Sequence, residues 1–406
     1  MNILVINCGG SSIKYQLIDM DEKLVLAKGS VEQIGSPKSG FNFKSNDNYI
    51  VKKDIFIADH ETGLKMVLTA LTDPVCGIIS SYSDIAAIGH RVVHAGEKFS
   101  GSVLITQEVI NALKECIELA PLHNPPNIMG IELCEKAMPG IPQVGVFDNA
   151  LHRNLKPHVY LYGLPYRYYN DYGIRRYGFH GISFTYMIER ASEIVNVPIA
   201  KQRIVSLQLG SGCTANAMKW GESVDVSTGF TPCEGLIQST RSGNIDPAII
   251  THIMRKFNLS PDQMDDILYK QSGWLGLSDT TADFRDVEAA ADAGNEQAQI
   301  AIDAFVYSTK KYIGAYAAAM GGMDLLVIAG GVGEKNAMVR AKICHDLDFL
   351  GINFDDQNNN QLAGEGVITS AASKVPVVVV NTNEEIIIAR ETAGIMKTLK
   401  ERFVSS

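Results

Sequence analysis

Long apolar runs, paired cysteines and an excess of positive charge are all missing from this chain of 406 residues. No apolar stretch approaches the roughly 20 residues that a membrane-spanning helix needs. The N-terminus enters an apolar strand with no basic leader, so a cytoplasmic protein without a membrane partner is expected. The seven cysteines, at 8, 76, 116, 134, 213, 233 and 344, are odd in number, and none stands in a C-x-x-C pair. That pattern excludes a disulfide frame and a cysteine-based zinc site and fits reduced thiols. A net charge of -9 argues against general affinity for nucleic acid or an anionic membrane. If the ligand is itself anionic, positive charge must be concentrated locally.

What is present describes an ordinary globular protein, with 46% hydrophobic and 20% charged residues. The length exceeds what one core usually supports, so two domains are expected. Short β-branched runs, "AAIGHRVV", "PQVGVF", "RIVSLQL", "DLLVIAGG" and "VPVVVVN", alternate with stretches of helical period, the pattern of an α/β fold. Ser260, Pro261 and Gln263 form the start signal of one helix, and a long helical stretch runs from about Asn295 to Met320. "FDDQNNNQLAGEG" is expected to be an exposed loop. Proline-rich "LAPLHNPPNIMG" cannot be a central strand, because each proline removes a ladder donor, so it is expected to line a cleft or end an element.

Three glycine turns follow strands. "MNILVINCGGSSIKYQLI" places a strand, a glycine and serine turn, and a second strand carrying Lys14; "RIVSLQLGSGCTANAM" repeats that grammar. The third, "LLVIAGGVGEKN", is expected to lead into a helix at about Glu334 to Asp346. Such turns let backbone N–H groups approach an anion closely, and three of them suggest a polyphosphate held between two related lobes. Each alone is as well explained as a simple turn, and "GGVGEK" lacks the spacing of the dinucleotide and P-loop fingerprints.

The motifs "NCGGSSIKYQL", "GHRVVHAGEKF", "LAPLHNPPN", "FDNALH", "YGFHGIS", "GFTPCEGL", "STRSGNIDP", "DFRD" and "NTNEEIIIARET" resemble, in this order and over nearly the whole length, the acetate kinase family. The resemblance implies the acetate and sugar kinase, Hsp70 and actin superfamily fold. That is two duplicated ribonuclease H-like, actin-like α/β lobes with a nucleotide cleft between them. Residues 1–150, completed by a C-terminal helix over 386–406, would form one lobe. Residues 151–385 would form the nucleotide-binding and dimerisation lobe. It further implies a homodimer that transfers phosphate reversibly between ATP and acetate, giving ADP and acetyl phosphate, with Mg2+ (or Mn2+) as cofactor.

Residue by residue, the resemblance implies catalytic roles for Arg91, Asp148, His180 and Arg241. Arginine's planar fork suits carboxylate and phosphoryl groups alike. Outside these motifs, either arginine would read as a surface ion pair and His180 as a structural histidine. Asp148 follows an apolar run, at a strand end where clefts form. Val93, Leu122, Phe179 and Pro232 match the small acceptor pocket. Ser12, Lys14, Gln208, Leu209, Gly210, Ser211, Gly212, Asp283, Phe284, Arg285, Gly331, Val332, Gly333, Glu334 and Lys335 match the nucleotide-binding segments, and Asn7 and Glu384 the metal side. Without the family, Lys14 reads as a lysine guarding an edge strand.

Several positions depart from the family's usual pattern, all on the donor side. The second loop, commonly H-L-G-N-G, reads Gln208 to Gly212 with Ser211 for asparagine. The third, commonly G-I-G-E-N, ends in Lys335, and the usual histidine after the F-H-G motif is Phe184. An apolar pocket discriminates one methylene by only about 1 to 3 kcal/mol, so propionate is expected as a slower acceptor. Two further readings stand beside this one: a family member with another donor such as pyrophosphate, and a nucleotide-driven conformational protein like Hsp70 or actin. The paired arginines and the apolar pocket weigh against the last.

Overall fold

In the computed structural model, which describes residues 1–404 except 48 and 122, the chain divides into two compact units. The first comprises residues 1–150 and the segment from Asn383 onward, and the second Leu151–Thr382.

The first unit is built on one eight-stranded sheet. Its strands are β1 (Asn2–Gly9), β2 (Ser12–Asp19), β3 (Leu24–Glu32), β4 (Gly40–Ser45), β5 (Ile50–Asp54), β6 (Ile85–Val92), β7 (Val103–Leu104) and β8 (Gln143–Phe147). They lie in the order β5-β4-β3-β2-β1-β6-β8-β7. β1 is central, and its Ile3, Leu4, Val5 and Ile6 are all buried because both sheet faces are covered there. β2 alternates instead: Ile13, Tyr15 and Leu17 are buried on one face, while Lys14 and Gln16 take the other. Since β2 lies between β1 and β3, Lys14 is not an edge lysine. The apolar face packs on helices His60–Leu71 and Asn124–Ala137.

The second unit holds a six-stranded sheet. It consists of β9 (Arg203–Leu209), β10 (Cys213–Lys219), β11 (Glu222–Val226), β12 (Leu325–Ala329), β13 (Gly366–Val367) and β14 (Val377–Val379), in the order β11-β10-β9-β12-β14-β13. That order repeats β3-β2-β1-β6-β8-β7 of the first sheet. The directions repeat too: β1 is antiparallel to β2 and parallel to β6, and β9 is antiparallel to β10 and parallel to β12. The duplication hinted at by two glycine hairpins thus extends to six strands of each sheet. The helix Glu296–Met320, capped by Asn295 and ended by Gly321 at φ +75, lays Ile302, Phe305 and Ile313 on this sheet's core. Ser260 and Gln263 form the expected capping box of Pro261–Lys270.

Four local expectations are corrected. The third glycine segment is itself helical, Gly330–Lys335, followed by a separate helix Ala337–Cys344 capped by Asn336. The expected exposed loop after Phe354 contains the helix Asp356–Gln361, whose Asn359 is buried against Arg340. The two prolines at 125 and 126 begin the helix Asn124–Ala137, where their missing N–H groups have no ladder partner to lose. The C-terminal helix begins at Glu384, two residues ahead of the expected start.

Candidate active site

In the first unit the candidate residues gather at the ends of adjacent parallel strands. Arg91 is the penultimate residue of β6, and Asp148 follows β8, with its N–H donating to the Val92 carbonyl at 3.0 Å. The Arg91 fork donates from Nε to both Asp148 oxygens, at 3.1 and 3.3 Å, and from Nη2 to Oδ2 at 2.7 Å. Its Nη1 donates to Glu384 Oε2 at 2.8 Å, where Glu384 opens the C-terminal helix. Asp148 is almost wholly buried. Burial pushes its carboxyl up, and the Arg91 charge opposes that. Burial also works against the Arg91 cation, but Asp148 and Glu384 outweigh it and hold Arg91 above the ordinary arginine range.

Asn7 lies on β1, one residue past the pair Ile6 and His90, and opposite Lys14 of β2. Asn7 and Glu384, the two residues expected on the metal side, both ligate through oxygen. Among the described residues, no group of three or more His, Cys, Asp or Glu stands together. A divalent ion held here would therefore draw most of its ligands from phosphate and water, as magnesium does. Ser12 closes the first hairpin opposite Gly9, whose carbonyl contacts His60 Nε2 at 2.8 Å. Val93 is buried just beyond β6. Leu122 lies outside the described residues.

Two asparagines of the "LAPLHNPPN" motif, to which the sequence assigns no role, hold this end of β6. Asn127 accepts from the Val93 N–H at 3.0 Å and donates to the Cys8 carbonyl at 2.8 Å. Asn124 accepts from the His94 N–H at 3.2 Å and returns a bond to the His94 carbonyl at 2.9 Å. The proline-started helix thus ties the first phosphate hairpin to the strand that carries Arg91.

In the second unit, the hairpin Gly210-Ser211-Gly212 joins β9 to β10 and is closed by a bond from Gly210 N–H to Gly212 carbonyl at 3.1 Å. His180 sits at φ +60 immediately before the helix Gly181–Val195, with Nδ1 at 2.9 Å from Thr214 Oγ1. Gly212 faces the other side of that ring: a Cβ there would lie 3.3 Å from His180 Cε1 and 3.5 Å from Nε2. Glycine lets the loop lie close against the histidine, and a larger residue would push the ring by a few tenths of an ångström.

Gln238 is the hub of this half. It is 1% exposed. Its Nε2 donates to the Pro232 carbonyl at 2.7 Å, and its Oε1 accepts from Cys213 N–H and from Arg241 Nη1, each at 3.3 Å. One amide therefore connects Pro232, the second hairpin and Arg241. Among the described residues, Arg241 has no carboxylate partner, and burial pulls its pKa below the ordinary arginine value. A largely buried cation left unanswered is costly unless an anion completes it.

Phe179 and Pro232 are buried near these groups, with the Phe179 N–H donating to Thr228 Oγ1 at 3.0 Å and its carbonyl held by His152 Nε2 at 3.1 Å. His152 is fully buried and its Nδ1 meets Ser223 at 2.8 Å; burial depresses its pKa to about 4, so it is neutral. Phe184, in place of the usual histidine, is fully buried and meets the His152 ring edge-on at 6.1 Å.

The second and third glycine segments converge. Gly330 has φ +81, and a Cβ on it would lie 2.6 Å from the Leu209 backbone, so only glycine allows this approach. Leu209 itself is buried, and Gly333 packs over Ile328, so these two segments present backbone rather than side chains. Gln208 keeps a buried Oε1 without a partner among the described residues. Ser211 and Lys335 are exposed, Gly331 is exposed and Val332 is half-buried. The Glu334 carboxylate accepts from Gly330 N–H and Thr382 N–H, each at 3.1 Å, so it braces its own segment. Asp283 caps the helix Phe284–Asp292 and pairs with an exposed Arg285, while the Phe284 ring is spent in an aromatic cluster, 5.1 Å from Trp274.

Residues 2–390 match the model of the acetokinase family. The chain is 50% identical over 392 residues to an acetate kinase of Carboxydothermus hydrogenoformans, covering 97% of this chain and 98% of that protein. It superposes on the crystal structure of Porphyromonas gingivalis acetate kinase with a TM-score of 0.91 at 46% identity, over 97% of this chain and 99% of that one. A propionate kinase from Francisella tularensis gives a TM-score of 0.91 at 37% identity, with the same shares covered. With its motifs in family order and its two repeated sheets, the chain belongs to the acetokinase family.

Proposed function

We propose that the protein is a phosphotransferase with a carboxyl acceptor, moving the γ-phosphoryl group of ATP reversibly to acetate to give ADP and acetyl phosphate. The observation that carries this reading is Arg241: a largely buried guanidinium with no carboxylate partner among the described residues, tethered by Gln238 beside the Gly210–Gly212 hairpin. An anionic oxygen of the substrate supplies the missing partner.

Acetate is ionised near neutral pH, so no base is needed. One of its oxygens attacks the γ-phosphorus in line; the new P–O bond forms as the bond to the β-phosphate oxygen breaks, and the electron pair leaves with ADP. The chain's part is to position groups and neutralise charge. Arg241 and His180 act on the equatorial oxygens in this account, with His180 oriented by Thr214. Arg91, held by Asp148 and Glu384, binds the acceptor carboxylate, and Asp148 positions Arg91 rather than forming an aspartyl phosphate. Val93 of the first unit, and Phe179 and Pro232 of the second, are each assigned to recognition of the methyl group. In the first unit the Ser12 N–H and Lys14, and in the second the N–H groups of Gly210–Gly212 and Gly331–Gly333, are assigned to the donor phosphates.

A divalent cation, magnesium with manganese as a substitute, is assigned to Asn7 and Glu384; when bound it neutralises phosphate charge. We further assign a homodimer, supported by the exposed Ile300 and Tyr307 on the long helix of the second unit. A cytoplasmic setting is supported by seven free cysteines. No helix among the described residues is long and apolar enough to cross a membrane. The buried, apolar pocket residues favour propionate as a slower acceptor.

The test is a donor panel of ATP, GTP and pyrophosphate against acetate and propionate. ADP release from ATP that depends on acetate is expected. Hydrolysis indifferent to acetate would point to a conformational ATPase, and turnover with pyrophosphate alone to another donor.

A further inference from the structure

A second concentration of positive charge lies on the first unit, along the solvent-facing side of β2 to β5. Cross-strand register places Lys14 opposite Ser30, Ser30 opposite Asn42, and Asn42 opposite Lys52. The next row, two residues along, sets Gln16 opposite Lys28 and Lys28 opposite Lys44. Four lysines thus share one sheet face in a chain whose net charge is -9. They rim a concavity of about 450 Å³.

Two features set this face apart from an ordinary solvated one. Like charges directly opposite on neighbouring strands are destabilising, yet Lys28 faces Lys44, and none of the four lysines makes a side-chain hydrogen bond or ion pair among the described residues. The carboxylate within the rows, Glu32, is engaged by Ser30 Oγ at 2.8 Å. Gln16 also lines the concavity, with a buried Oε1 that has no partner among the described residues; as an acceptor it calls for a donor on the ligand, such as a protonated phosphate oxygen, and not for the negative charge itself. The floor is an ordered polar network, with Asn42 accepting from Ser30 N–H at 3.1 Å. Local rules broken without compensation mark functional surfaces.

The geometry points to a second anion site on this face, built on Lys28, Lys44 and Lys52 and meeting the first phosphate loop at Lys14, that takes a compact ligand bearing a diphosphate group. The lysines occupy two rows about 7 Å apart, the spacing of two residues along a strand. A single phosphate reaches one row, whereas two linked phosphates engage both. The volume is within the range of small-molecule sites. The site adjoins the catalytic half through Lys14 and through Glu385, which lines the same concavity next to the metal-side Glu384. Occupancy there is placed to alter the charge around Lys14, so the site fits a regulatory role.

The test is calorimetric titration of the whole protein with inorganic pyrophosphate at low ionic strength, with and without saturating ADP to fill the phosphate loops. The comparison is Lys28→Gln/Lys44→Gln/Lys52→Gln, which leaves Lys14 in place. The parent should bind pyrophosphate in the presence of ADP, and the triple variant at least about tenfold more weakly, because three charges are removed from a solvent-screened site. Acetate-dependent ADP formation should stay within about twofold in the variant, since none of the three touches the reacting groups. Equal affinity in both proteins overturns the proposal, as does absence of pyrophosphate binding by the parent. Capture of a single-stranded oligonucleotide in preference to pyrophosphate overturns it too. If ADP itself fails to bind, the kinase reading falls, and the titration without ADP still decides this site.

Discussion

Replacing Gln238 separates the packing of the second unit from its chemistry. Gln238→Leu keeps the volume but removes three hydrogen bonds, to Pro232, Cys213 and Arg241. It leaves the Pro232 carbonyl and the Cys213 N–H buried without partners, at about 1–3 kcal/mol each, so about 2–6 kcal/mol of stability should be lost. Gln238→Glu instead keeps an acceptor for Cys213 and Arg241, loses only the bond to Pro232, and pairs the Arg241 cation with a fixed carboxylate. Its stability loss should be at the lower end, about 1–3 kcal/mol. Its turnover should nonetheless fall about 100-fold, because a charge kept free for the transferring phosphoryl group is answered in advance. Urea unfolding gives the first quantity and acetate-dependent ADP release the second. If Gln238→Glu keeps full kcat/KM for acetate, the unanswered charge on Arg241 is not what the reaction uses.

Arg91→Ala should lower turnover by at least about two orders of magnitude; near-parent activity in a variant with parent-like circular dichroism removes Arg91 from the mechanism. Val93→Ala should raise kcat/KM for propionate relative to acetate, by up to about tenfold for the space of one to two methylenes, and an unchanged ratio places Val93 away from the acceptor methyl. Stability should fall on acidification: His90 and His152 are buried with pKa values of about 4, whereas an unfolded histidine titrates near 6.5. The unfolded chain therefore binds protons that the native one refuses, and each histidine costs about 1.4 kcal/mol per pH unit between those values. A urea midpoint that does not drop from pH 7.5 to 5.5 contradicts this.

The two glycine hairpins and the capping box at Ser260 were legible because each is a local pattern: strand alternation around a turn, and a cap with its third residue. The Gly330 segment reads as a turn before a helix, and no local signal says that it is helical from the start. Its conformation is set by the approach of the Leu209 backbone, which lies far away in sequence. The run after Phe354 reads as loop by composition, yet Asn359 is buried because Arg340 needs acceptors. For the same reason the roles of Asn124, Asn127 and His152, which lie inside quoted motifs, and of Gln238, which does not, are not legible in the sequence. Each satisfies buried polar groups of another element, and the need for those bonds exists only once the sheet has formed.

The central claim is tested most directly by measuring ADP release from ATP with and without acetate while trapping acetyl phosphate as its hydroxamate, in the parent and in Arg241→Ala. The account predicts equal amounts of ADP and hydroxamate, strict dependence on acetate, and loss of both by at least about two orders of magnitude in the folded variant. ADP released at the same rate without acetate, or undiminished hydroxamate from Arg241→Ala, would contradict it.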